Sequence, residues 1–234
     1  MRRIENPLLS ELHAHTTWSD GALSVRELCD LYGRSGFDVL AVTDHVTRLG
    51  TQVTADLYDA YLADVEAEAE RARRVYDLLV VPGLELTYDD PDPTRAAHVV
   101  AIGLREFVDL SADLESALAA ARAHGAALVA AHPYTPEMVG GTTRRTAAFA
   151  ARPDELAPLV DRFELFNRQT LFGWVAAAGL PAVASGDFHR LEHLRTWKTL
   201  LPCAKDEAAV IDFLRSPEPA FLVAFEPLAS QLAA

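Results

Sequence analysis

The sequence predicts an α/β fold built from parallel strands with helices between them. Three observations carry that expectation. Short apolar runs alternate with amphipathic helical stretches, in about seven units, and such alternation implies parallel strands joined by right-handed crossovers. The chain has 234 residues and 50% hydrophobic content, which suits one domain with a sizeable core over residues 1–234. Metal-ligand side chains return where the apolar runs end, the place where an α/β barrel gathers its site. A barrel with helices outside is the first expectation and an open doubly wound sheet the second.

In order, Leu8–His13 reads as the first strand. Ser24-Val25-Arg26-Glu27 has the spacing of a capping box, so a helix starts there and ends near Gly33 or Gly36. Asp38–Thr43 is the second strand. Residues 54–76 form the longest helical pattern, with Leu57, Tyr61, Val65, Ala69 and Ala72 recurring at helical spacing and acids on the other faces. Leu78–Val81 is a strand ending in Pro82-Gly83-Leu84-Glu85, and Tyr88–Arg95 is a polar loop with two prolines. His98–Ile102 is a strand. Ser111 is read as the cap of a helix running to His124-Gly125, and Ala126–Ala131 as a strand ending in His132-Pro133. Gly140–Arg145 is loop-like. A helix is expected from about Pro153, a strand over Arg162–Phe166, a helix over 168–178 and a strand over Pro181–Ala184. Trp197–Leu201, a helix from Asp206 to Leu214, and Phe221–Phe225 close the chain. No Gly-rich loop follows the first strand, so a dinucleotide site is unsupported.

Composition narrows the function. No apolar run approaches the roughly eighteen residues of a membrane span, and the basic start has no apolar run of signal-peptide length after it. Cys29 and Cys203 lack metal spacing and are read as reduced and buried, in a cytoplasmic protein. The formal net charge is −13, with only two lysines, Lys198 and Lys205. A duplex-binding surface wants clustered Lys and Arg, so no stable nucleic-acid complex is expected. A small anionic substrate is compatible, because a metal cluster can reverse the local field of an acidic protein.

The chemistry-bearing residues then fall into a pattern. His13 and His15 stand two apart and share a strand face, and Asp20 follows in a Ser-Asp-Gly turn. His45, Glu85 and His132 each follow a strand-like run, as do Asp187 and His189, which repeat the spacing of the first pair. His98 opens a strand instead. Imidazole and carboxylate together suit Zn, Mn or Fe.

His13-x-His15 with Ser19-Asp20-Gly21, Thr43-Asp44-His45, Gly83-Leu84-Glu85, Ala131-His132-Pro133 and Ser185-Gly186-Asp187-Phe188-His189 together resemble the PHP (polymerase and histidinol phosphatase) family. The motifs stand in the family's order over residues 11–189. The resemblance implies a distorted (β/α)7 barrel with the active site at the C-terminal ends of the strands. It implies a two- or three-metal phosphoesterase site holding Zn, Mn or Fe. His13, His15, Glu85 and Asp187 would hold one ion; Glu85 would bridge to a second with His132 and His98; Asp20, His45 and His189 would hold a third. Asp187, Glu85 and His15 would stand nearest the chemistry.

The activity it implies is hydrolysis of a small phosphate ester (a nucleotide, sugar or metabolite phosphate) by a metal-bound hydroxide. An exonuclease-like phosphodiesterase acting on nucleic-acid ends and a non-catalytic metal-stabilised module are the alternatives. Two departures stand out: Val46 follows Asp44-His45 where many relatives carry a further acid, and residues 85–132 leave little room for a substrate-capping insertion. Phosphate recognition usually adds a guanidinium fork. Arg48, Arg144, Arg145 and Arg190 are the candidates, with Arg144 and Arg145 favoured because their loop follows His132-Pro133; Arg168 is a further one. Asn167 reads as a turn residue, and His124 and His193 as surface residues.

Overall fold

The capping box forms as its spacing requires. Ser24 caps helix α1 (Val25–Arg34) by accepting from the Glu27 amide, and the Glu27 carboxylate accepts from the Ser24 amide in return. The apolar side of α1, Val25, Leu28, Cys29 and Tyr32, is buried. The computed structural model describes residues 6–47, 52–111, 113–139 and 146–226. Its strands are β1 (Leu8–Glu11), β2 (Val39–Val42), β3 (His45–Thr47), β4 (Leu79–Tyr88), β5 (Ala97–Ile102), β6 (Ala127–Ala131), β7 (Arg162–Asn167), β8 (Thr170–Leu171), β9 (Ala182–Ser185), β10 (Trp197–Leu201) and β11 (Phe221–Ala224). The further helices are α2 (Tyr58–Tyr76), α3 (Leu114–Ala123), α4 (Pro136–Val139), α5 (Ala148–Ala151), α6 (Pro153–Leu156), α7 (Gly173–Ala177) and α8 (Glu207–Arg215).

All these strands join one sheet in the order β11-β10-β1-β2-β4-β5-β6-β7-β8, with β3 on β4 and β9 on β7. Alternate strand residues separate into two cores, as a period of two requires. Val39, Ala41, Val81, Val100, Ile102, Ala127 and Val129 pack with Val210, Phe213 and Leu214 of α8. Leu40, Val42, Val80, Val99, Ala101, Leu128 and Ala130 pack with the buried sides of α1, α2 and α3. The sheet curls, bringing the chain beyond β1 against the chain beyond β9 at the rim where the motifs lie. There Ala14 bridges to Phe188 in parallel, with His15 N donating to Phe188 O at 2.8 Å and Phe188 N to His13 O at 3.0 Å. Lower down, β9 and β10 are joined not by a ladder but by Thr199, whose hydroxyl oxygen lies 2.8 Å from both N and O of Ala184. The α/β barrel expectation holds in this distorted form.

The expectation of parallel strands throughout does not hold. The pairs β1–β2, β2–β4, β6–β7 and β7–β9 are parallel, but β4–β5, β5–β6, β1–β10 and β10–β11 are antiparallel. For β4–β5 the cause is legible: the link contains two prolines and no helix, and a parallel return needs a dozen or more residues.

Three helix readings are also corrected. Asp113, not Ser111, caps α3, accepting from the Ser116 amide, while Ser111 bonds back to Asp109. The helix expected over 168–178 shrinks to α7, because Arg168 sits at φ +53, left-handed backbone that a helix cannot hold, and β8 follows it. The helix expected from Pro153 starts there but is a single turn, α6, continued by a 3-10 turn at Ala157–Leu159, and the short α5 precedes it. Cys29 is buried, as read, whereas Cys203 is half-buried; both are free. Among the described residues no helix is long and apolar enough to cross a membrane.

Candidate metal centre

Strand register sets the site. His45 on β3 lies opposite Glu85 on β4, Thr87 opposite His98 on β5, and His98 opposite Ala131 on β6, just before His132. His13 and His15 flank the Ala14 bridge beyond β1, and Asp187 and His189 flank its partner Phe188 beyond β9. Eight predicted side chains thereby form three overlapping groups: His13, His15 and Asp187; His13, Glu85 and His132; and His15, Asp20, His45 and His189.

Glu85 is the hub, with no exposed surface. Its Oε2 lies 3.4 Å from His13 Nε2, 3.5 Å from His15 Nε2 and 2.7 Å from His45 Nδ1. Its Oε1 lies 3.1 Å from His98 Nδ1 and 3.2 Å from His132 Nε2. His98 thus reaches Glu85, but its other nitrogen lies 3.2 Å from Asp89 and it stands outside the three groups. Asp187 Oδ1 lies 3.6 Å from His13 Nε2, 3.5 Å from His15 Nε2 and 3.3 Å from His189 Nδ1. Asp20 Oδ1 lies 3.5 Å from His45 Nε2 and 3.2 Å from His189 Nε2.

Buried polar atoms are normally hydrogen-bonded. Here His13 Nε2, His15 Nε2 and Glu85 Oε2 are buried without a hydrogen-bond partner, and they converge on one another. A cation shared among them would satisfy all three, so the residues fit a metal.

The electrostatics agree. Burial would raise Glu85 and Asp187, but His45, His13 and His98 around the first, and His13, His15 and His132 around the second, hold both well below the usual carboxylate range. Burial and the neighbouring His45 push His15 down to about 3, leaving it a neutral imidazole with a lone pair to offer. Burial lowers His13 too, but Glu85, Asp187 and Glu164 outweigh it and hold it well above the ordinary value. A cation binding there must displace that proton.

The sequence did not place several supports of these ligands. Glu164 of β7 contacts His13 Nδ1 at 2.9 Å. Arg168 donates from Nη2 to Asp187 Oδ2 at 3.0 Å and to the Asp187 carbonyl at 3.0 Å, and lies 3.2 Å from His189 Nδ1. Asp44 holds the Ser-Asp-Gly turn, accepting from Thr16 N at 2.8 Å and Ser19 Oγ at 2.6 Å. Glu11 accepts from the amides of His13 and Gly186 and from buried Lys198.

Of the arginines named for phosphate, Arg48, Arg144 and Arg145 lie outside the described residues. Arg190 is 68% exposed and faces Glu192 at 3.6 Å, so the structure does not bring its side chain to the cluster. Asn167 donates to Glu164, and His193 is no bystander, since its Nδ1 accepts from the His189 amide. His124 is the C-cap of α3.

Comparison with known proteins agrees with this geometry. A two-domain protein of Bacteroides vulgatus ATCC 8482 containing a predicted PHP-like metal-dependent phosphoesterase superposes with a TM-score of 0.68 at 17% identity, over 95% of this chain and 67% of that one. An amidohydrolase of Chromobacterium violaceum, solved with bound sulfate and no metal, gives 0.52 at 16% identity over 77% and 87%. In sequence, the DNA polymerase/3'-5' exonuclease PolX of Bacillus subtilis (strain 168) is 31% identical over 87 residues, 34% of this chain and 15% of that protein. The fold is therefore that of PHP-like metal-dependent phosphoesterases. The PHP domain model matches residues 11–139, more than half of the sequence, and the chain belongs to that family.

Proposed function

We propose that this protein hydrolyses small phosphate monoesters, such as nucleotide, sugar or metabolite phosphates, with two or three divalent ions of Zn, Mn or Fe. The observation that carries the reading is the convergence of three buried atoms that make no hydrogen bond, His13 Nε2, His15 Nε2 and Glu85 Oε2, inside three overlapping ligand groups. In it, His13, His15, Glu85 and Asp187 hold one ion, Glu85, His132 and His98 a second, and Asp20, His45 and His189 a third. Bound there, such ions would supply a water of lowered pKa and neutralise charge gathering on the phosphoryl oxygens. The chain's own residues hold and orient. Glu85 and Asp187 bring fixed negative charge into a buried site, and His15 offers a neutral nitrogen. Arg168, held against Asp187 and His189, would be the guanidinium that meets a phosphate oxygen at this rim, a role supported by those contacts.

The preference for small esters rests on charge. A polynucleotide contacts protein beyond its reacting phosphate, and each contact normally needs a free Lys or Arg. Here 34 acids face 21 bases. Arg71, Arg105, Arg122, Arg152 and Lys205 are each engaged with carboxylates, and Lys198 is buried. The similarity to PolX favours a second reading, a diesterase acting on nucleic-acid ends. The expected result is a higher kcat/KM for a mononucleotide or sugar phosphate than for single-stranded DNA of about ten nucleotides, with Mn, Zn and Fe supplied separately across a salt series. Faster processing of the oligonucleotide, with affinity falling steeply as salt rises, would establish the second reading instead.

A further inference from the structure

Glu164 sits inside the apolar run of β7 with 1% of its surface exposed. Four groups converge on its carboxylate. Oε1 lies 2.9 Å from His13 Nδ1 and is also bonded by the Ser185 hydroxyl. Oε2 accepts from the His132 amide at 2.6 Å and from Asn167 Nδ2 at 2.7 Å. A neutral imidazole carries one N–H and one lone pair, and which nitrogen holds which is set by the bond the other makes. A carboxylate oxygen at Nδ1 requires the hydrogen there, and so turns the Nε2 lone pair toward Glu85 and Asp187. The second oxygen meanwhile holds the amide of His132, whose backbone stands at φ +30.

We infer that Glu164 is a positioning residue that fixes the metal-binding tautomer of His13 and the His132 turn together, coupling two of the three ligand groups through one carboxylate. The inference rests on the reading of the cluster as a metal centre. Outer partners of this kind commonly set ligand affinity in metalloenzymes. Glutamine cannot replace Glu164 here, although it has the same shape. If its amide NH2 faces Nδ1, the His13 hydrogen moves to Nε2 and the lone pair is lost. If it faces the other way, it meets the N–H of His132 and the amide of Asn167, donor against donor. Either orientation disables one group.

The test is a Zn2+ titration in competition with a chromophoric chelator, with the metal content of each protein and the melting temperature of its metal-free form. Glu164→Gln is expected to weaken at least one Zn2+ by about ten- to a hundredfold, the usual effect of losing an outer-shell partner. Ser185→Ala and Asn167→Ala leave the His13–Glu164 contact in place, so they should lower the melting temperature while keeping near-wild-type Zn2+ affinity. A merely structural Glu164 would make all three variants alike in metal binding. Folded Glu164→Gln protein with wild-type Zn2+ affinity would overturn the inference while leaving the metal centre standing. Wild-type protein that takes up no Zn2+ would overturn the metal-centre reading and the inference with it. If Glu164→Gln does not fold, nitrogen NMR of the zinc-loaded wild type decides: hydrogen on His13 Nδ1 and metal on Nε2 supports the inference, and metal on Nδ1 overturns it.

Discussion

Replacing Glu85 with glutamine is expected to lower phosphoesterase kcat by at least about a hundredfold, the scale on which loss of a metal-holding or electrostatic group acts. It should also remove metal. The two Glu85 oxygens lie between 2.7 and 3.5 Å from nitrogens of five histidines, His13, His15, His45, His98 and His132. No other acid of the cluster touches as many. Glutamine keeps the shape but has one acceptor oxygen and no charge, so it cannot hold ions on both sides. Elemental analysis of protein purified without chelator should find more than one ion per wild-type chain. Eight grouped side chains exceed the roughly four to six protein ligands that one ion takes. Glu85→Gln should carry at least one ion fewer. Asp20→Asn, at the edge of a single group, should lose less of both metal and activity. A wild-type stoichiometry that never passes one, even after reconstitution, would defeat the multinuclear proposal. Near-wild-type turnover and metal content in Glu85→Gln would show that the hub has been misplaced.

What the sequence disclosed about this site, and what it hid, follows from chain geometry. His13, His15, His45, Glu85, His132, Asp187 and His189 were legible because each stands at the end of an apolar run, and the ends of such runs meet on one rim, while Asp20 was legible from its Ser-Asp-Gly turn. His98 was placed beside Glu85 and His132 by the family resemblance, not by its position in a strand. Its strand runs antiparallel between β4 and β6, and strand direction is not written in periodicity. Glu164 was hidden because a polar residue within an apolar run reads as facing solvent, whereas it faces the cluster's underside. Arg168 stood among the candidate arginines, but its contact was hidden by its backbone: read as the first residue of a helix, it instead occupies left-handed space and turns its guanidinium onto Asp187. Arg190, which directly follows His189 in the motif, turns instead to Glu192. Nothing local separates those two arginines. Pairings across long stretches of chain are equally invisible, and the one between Glu11 and Lys198 spans 187 positions.

That pair carries the largest expected effect on stability. Lys198 is fully buried, and its ammonium reaches Glu11 Oε2 at 2.6 Å, Thr196 Oγ1 at 2.7 Å and the His193 carbonyl at 3.3 Å. Three donors thus meet three acceptors. Glu11 is as fully used: beyond Lys198 it accepts from Tyr32 Oη at 2.9 Å, and from the amides of Leu12, His13 and Gly186 at 3.1, 3.2 and 2.8 Å. The packing is close enough that a Cβ on Gly186 would collide with both Glu11 Oε2 and Lys198 Nζ. Removing the lysine charge strands a carboxylate in a fully buried site, and breaking a buried pair from one side costs about 3–5 kcal/mol. Lys198→Met, which keeps the volume, should therefore lower the free energy of urea unfolding by that amount. The measurement belongs in chelator, because metal bound only to the folded state would add its own stability. The double variant Glu11→Gln/Lys198→Met removes both charges, and it should be more stable than Lys198→Met alone although it carries one more substitution. Glu11 also fixes the amides on either side of the cluster, so Lys198→Met should weaken metal uptake without touching a ligand. A loss under about 1 kcal/mol in the single variant, or a double variant less stable than the single, would show that the pair is solvated and that the rim is held together by the Ala14–Phe188 bridge instead.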